Sequence, residues 1–304
     1  MMITRLFAGF MAVLLIGPPA LAVELPGPLV STEWLAEHQD EVLVIDVRND
    51  DTSYFESGHI MGAVPLDFRK ARGLQTEEGV ELDSMNLSAA DFTALMQSVG
   101  LDKGEPVVLT HRGRGADDVG YAAYVYWQLK YYGHDNVALL DGGTDRWISE
   151  DREFWGEEED TEPGHFEAGT PRGELLAETA DVKRMVEDEA ADILDARFFS
   201  FYVGMDKRDG VPKAGHIPTA TIFPFDSNLD ADGGFRPTEQ LATAATAVGL
   251  SAERPVTTYC NSGHVSAISW FVLKELLGYR EVTLYDGSMQ AWAKHDLPTE
   301  TTLR

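Results

Sequence analysis

Six short runs of β-branched and aliphatic residues punctuate the chain: Val42–Val47, Val107–Thr110 and Val137–Leu140, then Ile193–Ala196, Val256–Tyr259 and Val282–Tyr285. Each is almost continuously apolar, as expected of a strand buried on both faces. Between them lie stretches with a helical period, among them Leu87–Val99, Tyr121–Tyr132 and Ala267–Leu277. In the last, Ile268, Phe271, Val272 and Leu276 form one stripe and Gly278 supplies the stop. Strands alternating with helices over short connections predict an α/β fold, a doubly wound parallel sheet with helices on both faces.

The pattern occurs twice. Val42-Leu43-Val44-Ile45-Asp46-Val47-Arg48 is echoed by Ala191-Asp192-Ile193-Leu194-Asp195-Ala196-Arg197. Ser57-Gly58-His59-Ile60 is echoed by Ala214-Gly215-His216-Ile217, and Leu140-Asp141-Gly142-Gly143 with Trp147 by Tyr285-Asp286-Gly287-Ser288 with Trp292. Three blocks in the same order predict a tandem duplication. The expected domains are 23–160 and 177–304, joined by a linker over 161–176. Ser149–Gly173 is rich in Glu, Asp, Pro and Gly, and Glu157-Glu158-Glu159-Asp160 reads as a solvated charge run, not a metal site.

The first residues change the compartment. Arg5, the apolar run Leu6–Ile16, then Gly17-Pro18-Pro19 and Ala20-Leu21-Ala22 follow the order of a secretory signal cut after Ala22. The run is shorter than the ~20 residues that span a bilayer. An exported protein, most simply periplasmic, is expected. The balance of 24 basic against 51 acidic residues, a formal charge of −27, disfavours nucleic acid and anionic membrane surfaces as partners. It also requires a local positive site for any anionic substrate.

The chain has one cysteine, Cys260. In an oxidising compartment it has no partner within its own chain, so it is either inert in the core or used chemically. Its setting favours use. A β-prone run ends at Cys260, the polar loop Asn261-Ser262-Gly263-His264 follows, and a helix begins soon after. A thiol there faces free backbone N–H groups and the positive end of a helix dipole, which favour thiolate. Cys260 is the expected nucleophile. Gly113-Arg114-Gly115 lacks the remainder of a dinucleotide fingerprint, and Asp230-Ala231-Asp232-Gly233 lacks the glutamate of a calcium loop. His59, His216, Asp141 and Asp286 occur in both halves, including the half without a cysteine, and are expected to fix turns.

At these blocks the chain resembles the two-domain rhodanese sulfurtransferases, through Asp46/Arg48 and Asp195/Arg197, the Gly-His-Ile segments and the Asp-Gly segments with a following Trp. The resemblance implies a tandem pair of rhodanese-like domains with only the C-terminal copy catalytic. Aligning Val107–Thr110 with Val256–Tyr259 puts His111 opposite Cys260, beside a first-half loop Arg112–Asp118 that reads as longer. The implied chemistry moves a sulfane sulfur from a small anionic donor to a thiol or cyanide acceptor through a Cys260 persulfide, without metal or organic cofactor. A monomer or weak oligomer is expected. The loop N–H groups from Asn261 to Ser266 can form an anion nest, Gly263 lets the backbone curl inward, and Ser262 and His264 can add hydrogen bonds. His264, with an ordinary pKa near ~6.5, is expected to supply positive charge at mildly acidic pH.

The loop departs from the family's best-known forms, Cys-Arg-x-Gly-x-Thr for thiosulfate and Cys-Gly-x-Gly-x-Thr for mercaptopyruvate. Asn261 stands second, Val265 sixth, and Phe201 replaces a usual basic residue. Arg236 or Lys207-Arg208 would then supply the donor's positive site. Thiosulfate is the favoured donor; 3-mercaptopyruvate, persulfide or polysulfide, and a non-catalytic sulfane-sulfur carrier, are the alternatives. A phosphatase on this fold would need arginine at position 266, which is Ser266.

Overall fold

The computed structural model describes residues 23–50, 53–156 and 161–303. The expected leader, 1–22, and the acidic run 157–160 lie outside the described residues. The apolar runs of the first half form a five-stranded, all-parallel sheet in the order Leu29–Val30, Val137–Leu140, Val107–His111, Leu43–Arg48, Val64–Asp67. Those of the second half repeat it as Leu176–Ala177, Val282–Tyr285, Val256–Tyr259, Asp192–Asp195, Thr221–Ile222. Register fixes the equivalence of the halves. Asp46 pairs with Thr110 and Asp195 with Tyr259, so the next residues, His111 and Cys260, occupy matching places at the carboxyl ends of central strands.

The repeated motifs become a latch in each half. Arg48 donates Nε and Nη2 to Asp46 at 2.9 and 2.6 Å and Nη2 to the Gly58 carbonyl at 2.9 Å. Arg197 does the same with Asp195 and the Gly215 carbonyl. The buried rings of His59 and His216 stack on Tyr54 and Tyr202 at 3.7 and 3.6 Å. These are contacts between neighbouring turns, with the geometry of structural supports.

Two expectations are corrected. The first-half helix begins at Ala116 and runs to Tyr131, starting ahead of the apolar stripe because Asp117 and Asp118 suit the positive end of its dipole. The loop before it is Arg112–Gly115 and is not longer than Asn261–Val265, which precedes the helix Ser266–Phe271. That short helix continues as a π-helix over Val272–Leu276. The linker segment 161–176 packs against the first half. Phe166 is buried edge-on to Phe92, the Gly169 N–H donates to the Tyr132 carbonyl, and Arg172 grips Asp135 with two bonds of 2.7 Å.

The halves share one core. Tyr126 meets Phe271 edge-on at 4.9 Å, where the helix Ala116–Tyr131 packs on Ser266–Phe271. Each half also reaches into the other. A first-half hairpin, Arg72–Glu77 with Val80–Asn86, lies on the second half: the Asn86 N–H donates to Asp286 Oδ2 at 2.7 Å, Gln290 Nε2 to the Asp83 carbonyl at 2.8 Å, and the Thr179 N–H to Glu77 at 2.7 Å. In return the Phe235 N–H donates to Asp141 Oδ1 at 2.8 Å. The aspartate of each Asp-Gly block thus accepts a backbone N–H from the opposite half.

Candidate active site

Cys260 follows the strand Val256–Tyr259 and is 2% exposed, yet it lines a cavity of about 620 Å³ between the halves. Burial and access to a ligand therefore coexist. The loop after it is held from below by the start of the helix Ser288–Lys294. The Met289 and Gln290 N–H groups donate to the Cys260 and Asn261 carbonyls at 3.1 and 3.0 Å. The Ser288 hydroxyl accepts the N–H groups of Cys260 and Gly263, both at 3.0 Å, and donates to the Tyr285 carbonyl at 2.7 Å. Gly263 adopts φ +79°, and a Cβ there would stand 2.3 Å from Asp286 Oδ1. Only glycine fits so close a passage. The N–H groups of Asn261, Ser262, His264 and Val265 find no acceptor among the described residues, so they remain available to an anion.

Asn261, Ser262, His264 and Val265 line the cavity with Cys260. Gly263 shapes the turn without lining it, and Ser266 is buried beneath the loop, its hydroxyl donating to the Gly263 carbonyl at 3.0 Å. Arg236 does not join them. It is exposed, with Nε donating to the Ser227 carbonyl at 3.1 Å, because it belongs to a turn whose contacts run to its own neighbours. Of the pair Lys207-Arg208, only Arg208 lines the cavity, and its Nη1 donates to the Ser262 hydroxyl.

The expected cationic His264 is also corrected. Its ring stacks on Tyr121 at 4.5 Å, and Nε2 lies 3.1 Å from the Asp117 carbonyl. Burial, assisted by the nearby Arg72 and Arg208 charges, lowers its pKa to about 3. It is neutral at mildly acidic pH.

Arginines supply the positive charge. Arg69, Arg72, Arg197 and Arg208 all line the cavity. Arg197 is paired with Asp195 at 2.6 Å and Arg69 with Asp67 at 2.8 Å. Phe68, Tyr121, Phe198, Phe201 and Phe225 make the apolar wall, and Asp117 adds one carboxylate, its pKa raised by burial and by Asp226. Arg69, Arg72 and Ser288 escape sequence reasoning. Arg69 and Arg72 come from the half without the thiol, and nothing near Ser288 in the chain points to Cys260.

The description "Rhodanese-like domain" matches residues 31–150 and again 178–295. The chain belongs to the rhodanese-like family. It is 32% identical over 278 residues to the "Sulfur carrier protein TtuD" of Thermus thermophilus, covering 88% of this chain and 94% of that protein. It is 31% identical to a Haloferax volcanii protein named "Putative thiosulfate sulfurtransferase", covering 87% and 92%. Among solved structures, the 3-mercaptopyruvate sulfotransferase SseA of Escherichia coli superposes with TM-score 0.74 at 25% identity, over 86% of this chain and 98% of that one. EanB, solved in complex with hercynine, matches at TM-score 0.79 and 19% identity over 91% of this chain and 70% of that one, a likeness of fold alone. This rhodanese-like chain carries its cavity where open α/β sheets place ligands, outside the carboxyl ends of the strands. No described helix is long and apolar enough to cross a membrane.

Proposed function

We propose that this member of the family is an exported sulfurtransferase that loads a sulfane sulfur onto Cys260 and passes it to a thiol or cyanide. The observation that carries this reading is the place of Cys260: at a strand end, on the wall of a cavity that four arginines help to line, edged by loop N–H groups with no acceptor among the described residues. With thiosulfate, the Cys260 thiolate attacks the outer sulfur. The sulfur–sulfur bond of the donor breaks, its electron pair leaves with sulfite, and a Cys260 persulfide anion remains. An acceptor thiolate or cyanide then attacks the terminal sulfur of the persulfide, and Cys260 departs as thiolate. Each half-reaction conserves electrons and needs no external oxidant, and the scheme is ping-pong.

The loop N–H groups offset the negative charge of the persulfide through both steps, and the arginines meet the charge of the donor. Thiosulfate is favoured because it is a compact dianion and the cavity concentrates cations in a chain of net charge −27. The same guanidinium groups suit the carboxylate of 3-mercaptopyruvate, and persulfides or polysulfide complete the set of donors.

The test is a donor panel of thiosulfate, 3-mercaptopyruvate, glutathione persulfide and polysulfide, each with cyanide and with a thiol as acceptor. Intact-protein mass spectrometry should find one added sulfur at Cys260 after donor alone, and Cys260→Ser should neither load nor turn over. A wild-type protein that gains no sulfur from any donor ends the proposal. Loading without turnover in excess acceptor would make it a carrier.

A further inference from the structure

We infer that Arg72, supplied by the first half, binds the oxyanion end of the sulfur donor and so determines which donors load Cys260. This rests on the sulfurtransferase reading and names its donor class: molecules whose transferable sulfur is joined to an anionic group. Arg72 begins the hairpin that lies on the second half, and its guanidinium lines the cavity with Cys260. It is rigidly placed. The cation stands over the Tyr124 ring at 4.6 Å and the Phe68 ring at 5.4 Å, while Nη2 donates to the carbonyls of Ser84, across the hairpin, and Ser262, in the loop after the cysteine.

No carboxylate among the described residues forms an ion pair with Arg72. Among the four arginines of the cavity, Arg69 and Arg197 hold carboxylates, whereas Arg72 and Arg208 have none within ion-pair distance among the described residues. Arg72 Nε is moreover buried without an acceptor among the described residues. A guanidinium has five donors in a fixed fork, and here the protein's carbonyls engage only one nitrogen of the three. Arg72 and Arg208 converge on Ser262, one on its carbonyl and the other on its hydroxyl. They flank the loop beside the nucleophile, neither in an ion pair among the described residues although buried Asp286 feels the Arg72 charge, in a chain where acids outnumber bases 51 to 24. Asp117, on the same cavity wall, repels an incoming anion. A dianion therefore needs both arginines, and half of the binding charge comes from the domain without the thiol.

The ping-pong scheme separates the roles, because kcat/KM for the donor reports loading and kcat/KM for the acceptor reports unloading. In the full-length protein, with the neutral thiol dithiothreitol as acceptor, Arg72→Gln should lower kcat/KM for thiosulfate by about 10- to 100-fold, the range of a charge-assisted hydrogen bond. The value for dithiothreitol should change less than about threefold. Loading from 2-hydroxyethyl persulfide, whose organic group is uncharged and whose outer sulfur passes to the Cys260 thiolate as 2-mercaptoethanol leaves with the electron pair of the broken sulfur–sulfur bond, should be equally spared, and Arg72→Lys should fall between wild type and Arg72→Gln. The wild-type value for thiosulfate should decline with salt more steeply than that of the variant. Equal losses for thiosulfate and 2-hydroxyethyl persulfide, or for donor and acceptor, would make Arg72 a structural brace and overturn the inference. So would no loss at all. If the wild type loads Cys260 from neither donor, the sulfurtransferase reading itself fails; if it loads from both and Arg72→Gln matches it, only the role of Arg72 fails.

Discussion

Ser288 holds the place in the second half that Gly143 holds in the first, and the two tell how one half came to present a thiol. Both have positive φ, +64° at Gly143 and +50° at Ser288. In the first half a Cβ at Gly143 would stand 2.6 Å from the His111 carbonyl and 2.7 Å from its ring. In the second, a serine stands there beside the small cysteine and its hydroxyl ties the N–H groups of Cys260 and Gly263. A non-glycine residue in that conformation is strained, and here the strain coincides with support of the reactive loop. We expect Ser288→Ala to strand two buried N–H groups, destabilise the fold by about 2 kcal/mol and slow loading and unloading alike. Chemical denaturation and single-turnover kinetics check it; unchanged stability with unchanged loading would deny Ser288 this role. The buried histidines give a pH dependence. Burial lowers the His111 pKa to about 4, although Asp46 opposes the shift. The unfolded chain binds a proton at this residue below about 6.5, the folded chain only below about 4. Protons therefore favour unfolding in that window, and stability falls as pH drops. Between pH 7 and 4 His111 alone should cost on the order of 3 kcal/mol. Denaturation midpoints across that range should fall less in His111→Gln than in wild type, and identical slopes would contradict the assignment.

At the scale of elements, what could be read from the sequence was what is local. The apolar runs are visible because a parallel strand is buried on both faces, and the two sheets share one strand order because the blocks recur in order. Loop, strand end and helix around Cys260 are contiguous, so their proximity needs no knowledge of the fold. The arms were not legible. Arg72–Asn86 has no strong alternation, with Gly73, Ser84 and several acids along it, and its partners lie in the other half. The helix at Ala116 was hidden because its first turn is polar, and the role of 161–176 because its anchors are backbone groups and a single Phe166. The crossing hairpin is what makes first-half residues part of the site, and Asp286 is its main tie. Its two oxygens accept the Tyr124 hydroxyl at 2.8 Å and the Asn86 N–H at 2.7 Å, both from the first half. We expect Asp286→Asn to turn an amide N–H₂ toward one of these donors and cost about 2–3 kcal/mol. Hydrogen exchange should then rise in 72–86 more than in the sheet Val256–Tyr259. Exchange that rises uniformly would show the tie to be no more local than the fold itself.

At the scale of the whole molecule, the two repeats share one apolar core. The largest cluster of buried apolar residues runs from Ile45, Leu109 and Trp127 through Phe166 to Leu194, Ile268 and Phe271, without a break at the boundary between the halves. Trp127 Nε1 donates to the Leu175 carbonyl at 3.1 Å, and Trp127 stacks on Tyr131 at 5.3 Å. The reciprocal ties, buried at Asp286 and half-buried at Asp141, add hydrogen bonds that unfolding of either half would leave unmade. Separate transitions are usual for multi-domain chains, but here either half unfolding alone would strip apolar surface from the other. Only a joint transition avoids that cost. Calorimetry of residues 23–304 should therefore give one peak of roughly 200 kcal/mol near 60 °C, with calorimetric and van't Hoff enthalpies equal. Tryptophan fluorescence and far-ultraviolet dichroism should share one denaturant midpoint. Phe271→Ala, which removes the ring packed on Tyr126, should lower that single transition by about 3–5 kcal/mol because it weakens both halves together. Two resolved peaks in the wild type would mean the halves hold their cores separately. A first-half arginine would then meet Cys260 only while two independent domains happen to be docked, and loading should become sensitive to denaturant well below the main transition. A single peak instead ties retention of the cavity to retention of the fold, so that loading and tertiary structure should be lost at the same denaturant concentration.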